Sequence, residues 1–177
     1  MNDPQGNPFW TYSLALYGRP GVDAACLALQ DRLDLDVNVL LFCCWAGSRG
    51  RTLEDREVGA LMAAVRALRE EVVLPLRQAR RSLKTLLAEL GPAGTELREK
   101  IKANELAAEA IQQNLMHSAL QIADGPPSAT AGAANLRAYL RVAQATPAGS
   151  DWDALAGLLA VAFPELSEVE ARALLGQ

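Results

Sequence analysis

Asp36-Val37-Asn38-Val39-Leu40-Leu41-Phe42-Cys43-Cys44-Trp45-Ala46-Gly47 is the stretch whose reading decides the fold. Between the aspartate and the glycine, Asn38 is the one strongly polar side chain. Periodicity alone cannot separate a buried helix from a buried strand in so short an apolar run. The flanks can. Asp36 is a good helix N-cap, Gly47 suits a helix stop, and only Val37 and Val39 are β-branched. The segment therefore reads as a helix. Being apolar on every side, it must run through the centre of the fold. A buried amide needs hydrogen-bond partners, so Asn38 reads as a structural bond to a neighbouring segment rather than a ligand contact.

Working outward, Asn7-Pro8 opens a first helix to Tyr17, because proline suits the first helical position. Gly18-Arg19-Pro20-Gly21 breaks it, and Val22 to Leu33 forms a second. C-terminal to the central run, Thr52 with Asp55 reads as the start of a long helix. Val58, Leu61, Val65, Leu68 and Val72 recur at helical spacing, and Leu76, Ala79, Leu83, Leu86 and Leu90 extend the row. Pro75 removes an amide from the ladder and predicts a kink near Val73 and Leu74. Gly91-Pro92-Ala93-Gly94 is a turn, and a return helix follows from Thr95 to about Ala123. Leu97, Ile101, Asn104, Ala108, Ile111, Leu115 and Ile122 share one of its faces. Two long helices joined by a short turn make an antiparallel αα-hairpin.

Asp124 to Gly132 is rich in Gly, Pro and small residues and reads as a linker. Beyond it lie three shorter helices: Ala133 to Ala145, Asp151 to Phe163 with Ser150 and Asp153 as a capping pair, and Ser167 to Leu175. The expectation is an all-α protein: buried N-terminal helices packed on a long, kinked antiparallel hairpin, with a short-helix C-terminal tail. Its parts are a core over residues 1–123, the hairpin within it at about 53–123, a linker at 124–132 and a helical appendage at 133–177.

Composition agrees with helix. The 177 residues are 50% hydrophobic yet only 5% aromatic, and the Ala and Leu that fill the difference are strong helix formers. The net charge of −4 argues against general nucleic-acid binding. The charge is uneven, however: residues 51–102 are basic on balance and residues 150–177 acidic. Cys26, Cys43 and Cys44 lie in apolar helical stretches and read as reduced core residues. Met1 to Pro8 is polar rather than a leader sequence, and no apolar run reaches the ~20 residues needed to span a bilayer. The expected compartment is the cytoplasm, with no membrane partner.

The N-terminal text is distinctive. Phe9-Trp10, Ser13-Leu14-Ala15-Leu16-Tyr17, Pro20-Gly21-Val22, Ala25-Cys26-Leu27, Leu29-Gln30-Asp31, Asp36-Val37-Asn38, Leu40-Leu41-Phe42 and Cys44-Trp45 resemble a family of small, uncharacterised proteobacterial proteins, a domain of unknown function. The resemblance covers about residues 8–120 and implies no activity, cofactor or partner.

Candidate sites are few. His117 stands alone, so no multi-histidine metal site or catalytic constellation is legible, and no cofactor is indicated. Glu54, Asp55 and Glu57, Glu70 and Glu71, and Glu105 with Glu109 read as solvated helix faces. Ser48, Arg49 and Arg51 in a glycine-containing turn before a helix are the candidate anion site. Arg77, Arg80, Arg81 and Lys84, at i, i+3, i+4 and i+7, form a basic stripe that is the candidate partner-binding surface.

The function expected from these features is a helical interaction or regulatory module, more plausibly not an enzyme, acting through the hairpin's outer face on another protein or a second copy. One alternative is a small enzyme or anionic-ligand protein using the 48–51 turn. A second is nucleic-acid binding by the stripe, which lacks the aromatic residues that stack bases.

Overall fold

The computed structural model describes residues 6–176; the N-terminal residues 1–5, part of the stretch read above as polar, and residue 177 lie outside it. Every regular element among the described residues is helical. They are α1 (Pro8–Tyr17), α2 (Val22–Leu33), α3 (Val37–Ser48), α4 (Asp55–Leu68), a π-helical segment (Arg69–Val73), α5 (Leu74–Ala119), α6 (Ala129–Val142), α7 (Gly149–Ala162) and α8 (Glu168–Leu174).

The central helix is where the sequence puts it. In α3 every residue from Asn38 to Gly47 is buried. Asp36 caps it by accepting the Asn38 N–H at 2.9 Å. The Phe9, Phe42 and Trp45 rings pack edge-on or tilted within 5.4 Å of one another, which ties α1 to α3. Gly47 does not end the helix. A Cβ there would lie 2.5 Å from the Gly132 Cα, so the glycine lets the backbones of α3 and α6 touch. The positive φ that the turn requires is taken by Gly50, at 72°.

Residues 133–176 do not stand apart as an appendage. Leu136, Tyr139, Leu155, Leu159, Phe163 and Leu175 belong to the same core cluster as α3. Asn135 fastens α6 in place. It donates to the Cys43 and Arg51 carbonyls and accepts the Leu53 N–H at 2.7 Å.

The chain from Asp55 to Ala119 is one helical run that folds back on itself. Gly91, at φ 58° and ψ −146°, is its non-helical residue, and Pro92 starts the return arm at once. The turn is therefore tighter than Gly91 to Gly94. The start is also displaced: Glu54 rather than Thr52 caps α4, its N–H donating to Glu57 at 2.9 Å. Similarly, Asp151 rather than Asp153 closes the start of α7, accepting the Ala148 N–H.

Pro75 leaves the run unbroken, and its effect is local. The ring crowds the carbonyl of Glu71 and brings no amide, and the helix widens into the π turn at Arg69–Val73. A π turn accommodates one extra residue, so the helical phase slips by about 100° across it. An unbroken α-helix would put Val72 on the face of Val58, Leu61 and Val65. Instead Val73 is buried at 2% exposure and Val72 is 38% exposed.

Candidate interaction surface

The phase slip decides what the hairpin shows. Beyond it Val73, Arg77 and Arg80 turn inward, while Val72, Ala79, Leu86 and Leu90 are exposed and Leu76 and Leu83 of the same row are half-buried. The return arm (92–119) is inverted in the same sense. Its buried face carries Glu105, Gln112, Gln113 and Met116, with Ala108 alone from the apolar row.

Why a polar face goes inside is answered by its partners. Glu105 is only 6% exposed. It accepts the Arg77 Nε at 2.9 Å and both Nε and Nη2 of Arg80. Arg77 also reaches Glu109 and the Gln30 amide oxygen, each at 2.6 Å. Farther along, Gln112 accepts the Asn38 Nδ2 at 3.2 Å and donates to Asp36. Gln113 donates to the Asn38 Oδ1 at 2.7 Å and accepts the Ser13 hydroxyl at 2.8 Å. Asn7 closes the series on Asn114 at 2.7 Å. A seam of amides, carboxylates and guanidinium groups thus glues the return arm to α1–α3. The pairing is specific in direction and register in a way that leucines are not.

The electrostatics follow. Burial pushes the Glu105 carboxyl up, but the hydrogen bonds and charges of Arg80 and Arg77 outweigh it and hold the group below the usual carboxylate range. Glu109, with less compensation, is raised by burial. Asp36 is also raised by burial despite Arg69 and the Asn38 N–H. Glu105 and Glu109 are therefore not the solvated face that spacing suggests.

The predicted basic stripe is largely consumed by this arrangement. Arg77 and Arg80 serve Glu105 and Glu109, and Arg81 pairs with Asp31 of α2 at 2.7 Å. Lys84 is exposed. Asn38, the buried polar residue, is tied on both ends to the return arm.

The 48–51 turn is likewise occupied from within. Arg49 pairs with Asp124, Arg51 with Glu57 at 2.7 Å, and the Ser48 hydroxyl donates to the Trp45 carbonyl at 2.8 Å. The Pro126 carbonyl oxygen lies 2.5 Å from where a Cβ on Gly50 would be. The segment 124–126 thus packs against the turn.

His117 lies 5.7 Å from the Trp45 ring, half-buried, and burial lowers its pKa. Among the described residues no three His, Cys, Asp or Glu side chains come together at metal-binding distance, and no helix is long and apolar enough to cross a membrane. A cleft of about 430 Å³ opens between the α2–α3 corner, α4 and α6, lined by Leu33, Asp36, Met62, Arg69, Tyr139 and Val142 among others. Its polar groups are engaged with one another: Arg69 bonds Asp34 and Asp36, and Tyr139 accepts the Asp36 N–H at 2.6 Å.

What remains open is the hairpin's outer side. Leu86, Leu90, Leu97, Ile111 and Leu115 are all exposed, Leu97 at 48% and Ile111 at 53%. On both arms these residues lie about a quarter turn from the arm–arm contact, on the side away from α2. This follows from their helical positions relative to Arg77, Arg80 and Glu105. The two rows form one charge-free apolar strip. Periodicity finds the rows but not their direction, because the π turn that rotates the outgoing row by about 100° is signalled only by Pro75.

The molecule is thus an all-helical protein whose polar seam presents a two-armed hairpin with an apolar outer side. A family model described as Protein of unknown function (DUF2390) matches residues 8–116, and the chain belongs to that family. No curated protein and no solved structure matches it. The match ends near the end of the return arm, so α6 to α8 lie outside it.

Proposed function

We propose that the protein is an interaction module that docks a helical partner along the outer side of its hairpin. The observation that supports this is the apolar strip itself. Its six exposed members, Leu86, Leu90 and Leu97 toward the tip and Val72, Ile111 and Leu115 toward the base, present on the order of 500 Å² of apolar surface, joined by the half-buried Leu76, Leu83 and Ile101, the scale at which such patches mark docking sites. An amphipathic helix laid between two parallel ridges of leucines is a recurrent mode of recognition. The contact is carried by the apolar rows and not by the basic stripe, whose arginines are engaged in the seam.

The test compares affinity capture from cell extract by three forms of the full chain. Leu90→Asp with Leu97→Asp should abolish recovery of whatever the wild type retains. Arg81→Glu with Lys84→Glu should leave it intact. Equal recovery by wild type and the Leu90/Leu97 variant overturns the reading; loss with the Arg81/Lys84 variant instead restores the basic stripe.

A further inference from the structure

We infer that the occupant of this strip is a second copy of the chain, packed antiparallel about a two-fold axis at Asn104, so that two hairpins close into a four-helix bundle. The inference rests on the docking reading above and names its partner.

The alignment of the arms carries it. The pairs Arg77–Glu105, Arg77–Glu109 and Arg80–Glu105 set residue 104 of the return arm abreast of residues 80 and 81 of the outgoing arm. The outgoing row is symmetric about that level. Val72 and Leu90, Leu76 and Leu86, and Ala79 and Leu83 stand equally far from residue 81. On the return arm Leu97 and Ile111 stand equally far from Asn104, while Ile101, Ala108 and Leu115 fall opposite Ala107, Lys100 and Ala93. A two-fold axis crossing both arms at this level lays each row on its own copy running the other way. Val72 then meets Leu90 of the second copy, Leu76 meets Leu86, and Leu97 meets Ile111. This self-complementarity is what an isologous interface requires.

Asn104 is the polar residue in the strip, and it falls on the axis. A carboxamide both donates and accepts, so two of them related by a two-fold satisfy each other. A single amide in an apolar seam is also the device that fixes register and partner number in helical assemblies. Area agrees. Interface surface is about 60% apolar, so about 500 Å² of apolar strip corresponds to about 800 Å² per copy, a standard stable interface.

Cysteine scanning of the full chain tests the axis directly. The native Cys26, Cys43 and Cys44 are fully buried and do not interfere. Asn104→Cys should form a disulfide-linked dimer under mild oxidant. Lys100→Cys should not, because its counterpart stands about 12 Å away along the bundle, beyond disulfide reach. Sedimentation should show a wild-type dimer whose dissociation constant rises about 100-fold or more with Leu86→Asp plus Ile111→Asp. If that variant fails to fold, the cross-linking pattern decides alone. Cross-linking of Lys100→Cys as fast as Asn104→Cys overturns the axis. A wild type that is monomeric up to about 100 μM overturns the second copy. That result leaves the docking reading intact, which falls only by its own capture result.

Discussion

Glu105→Gln probes the seam that sets the hairpin. The substitution keeps size but turns one acceptor oxygen into a donor facing a guanidinium, and it removes the charge that both arginines share. Two charge-assisted bonds are lost or weakened, each worth about 1.5–3 kcal/mol before compensation. Water recovers part of this, since the Arg77 and Arg80 side chains are 15% and 24% exposed. Glu109 still neutralises Arg77. The net cost is then about 2–3 kcal/mol. In a chain of this length it lowers the Tm by roughly 5–10 °C.

The pH dependence sharpens the test. Glu105 has a folded pKa below its unfolded value. Its stabilisation is therefore complete above the unfolded value, about 4.3, and is lost as pH falls through the lower folded one. The wild-type-minus-variant gap should be full at pH 7 and should close below about pH 4. Asp36, raised by burial, contributes with the opposite sign but titrates in both proteins and cancels in the difference, whereas Glu109, raised by burial and in part by the Glu105 charge itself, is raised less in the variant. Urea melts followed by circular dichroism at pH 7, 5, 4 and 3.5 read the gap. A difference under about 0.5 kcal/mol at pH 7, or one that does not change with pH, refutes the role given to this pair.

Three further outcomes are expected. Gly47→Ala should destabilise by about 2 kcal/mol because its Cβ meets the Gly132 backbone, whereas Gly157→Ala, facing open space within α7, should stabilise by about 0.5–1 kcal/mol; chemical denaturation reads both signs, and equal effects would contradict the close approach. Asn135→Leu strands the buried Leu53 N–H and two carbonyls and should cost about 3 kcal/mol by the same assay; a loss below about 1 kcal/mol would mean α6 is held by packing alone. The thiols should react with Ellman's reagent only on unfolding, since burial raises Cys26 to about 12 and Cys43 and Cys44 also upward; a fast native phase would show that one is accessible.

Much of the architecture is legible from local chemistry. The caps at Asn7, Asp36 and Ser167 and the apolar run after Asp36 place their helices to within a residue or two, and Gly91-Pro92-Ala93-Gly94 between two long periodic stretches announces the hairpin. What is illegible depends on partners far away in sequence. A row of leucines says that a helix is amphipathic, but Glu105 goes inside because Arg77 and Arg80 come back to it 25 to 28 residues away. Gln113 goes inside because Ser13 and Asn38 wait for it across 100 and 75 residues. The tail misleads for a related reason. Gly132 looks like linker and Asn135 carries no signal of its own, yet one is a contact point for α3 and the other a three-way clamp.

The π turn at Arg69–Val73 also bears on how such a chain can change over generations. Removing a single codon from that turn would rotate everything beyond it by about 100° without touching one leucine or arginine. The apolar row would swing back toward the body, and Arg77 and Arg80 would swing out into water. A hairpin with its apolar row turned outward and one with that row turned inward are in this fold one in-frame deletion apart. The hairpins of relatives are best compared by the length of that turn before any difference among their leucines is weighed.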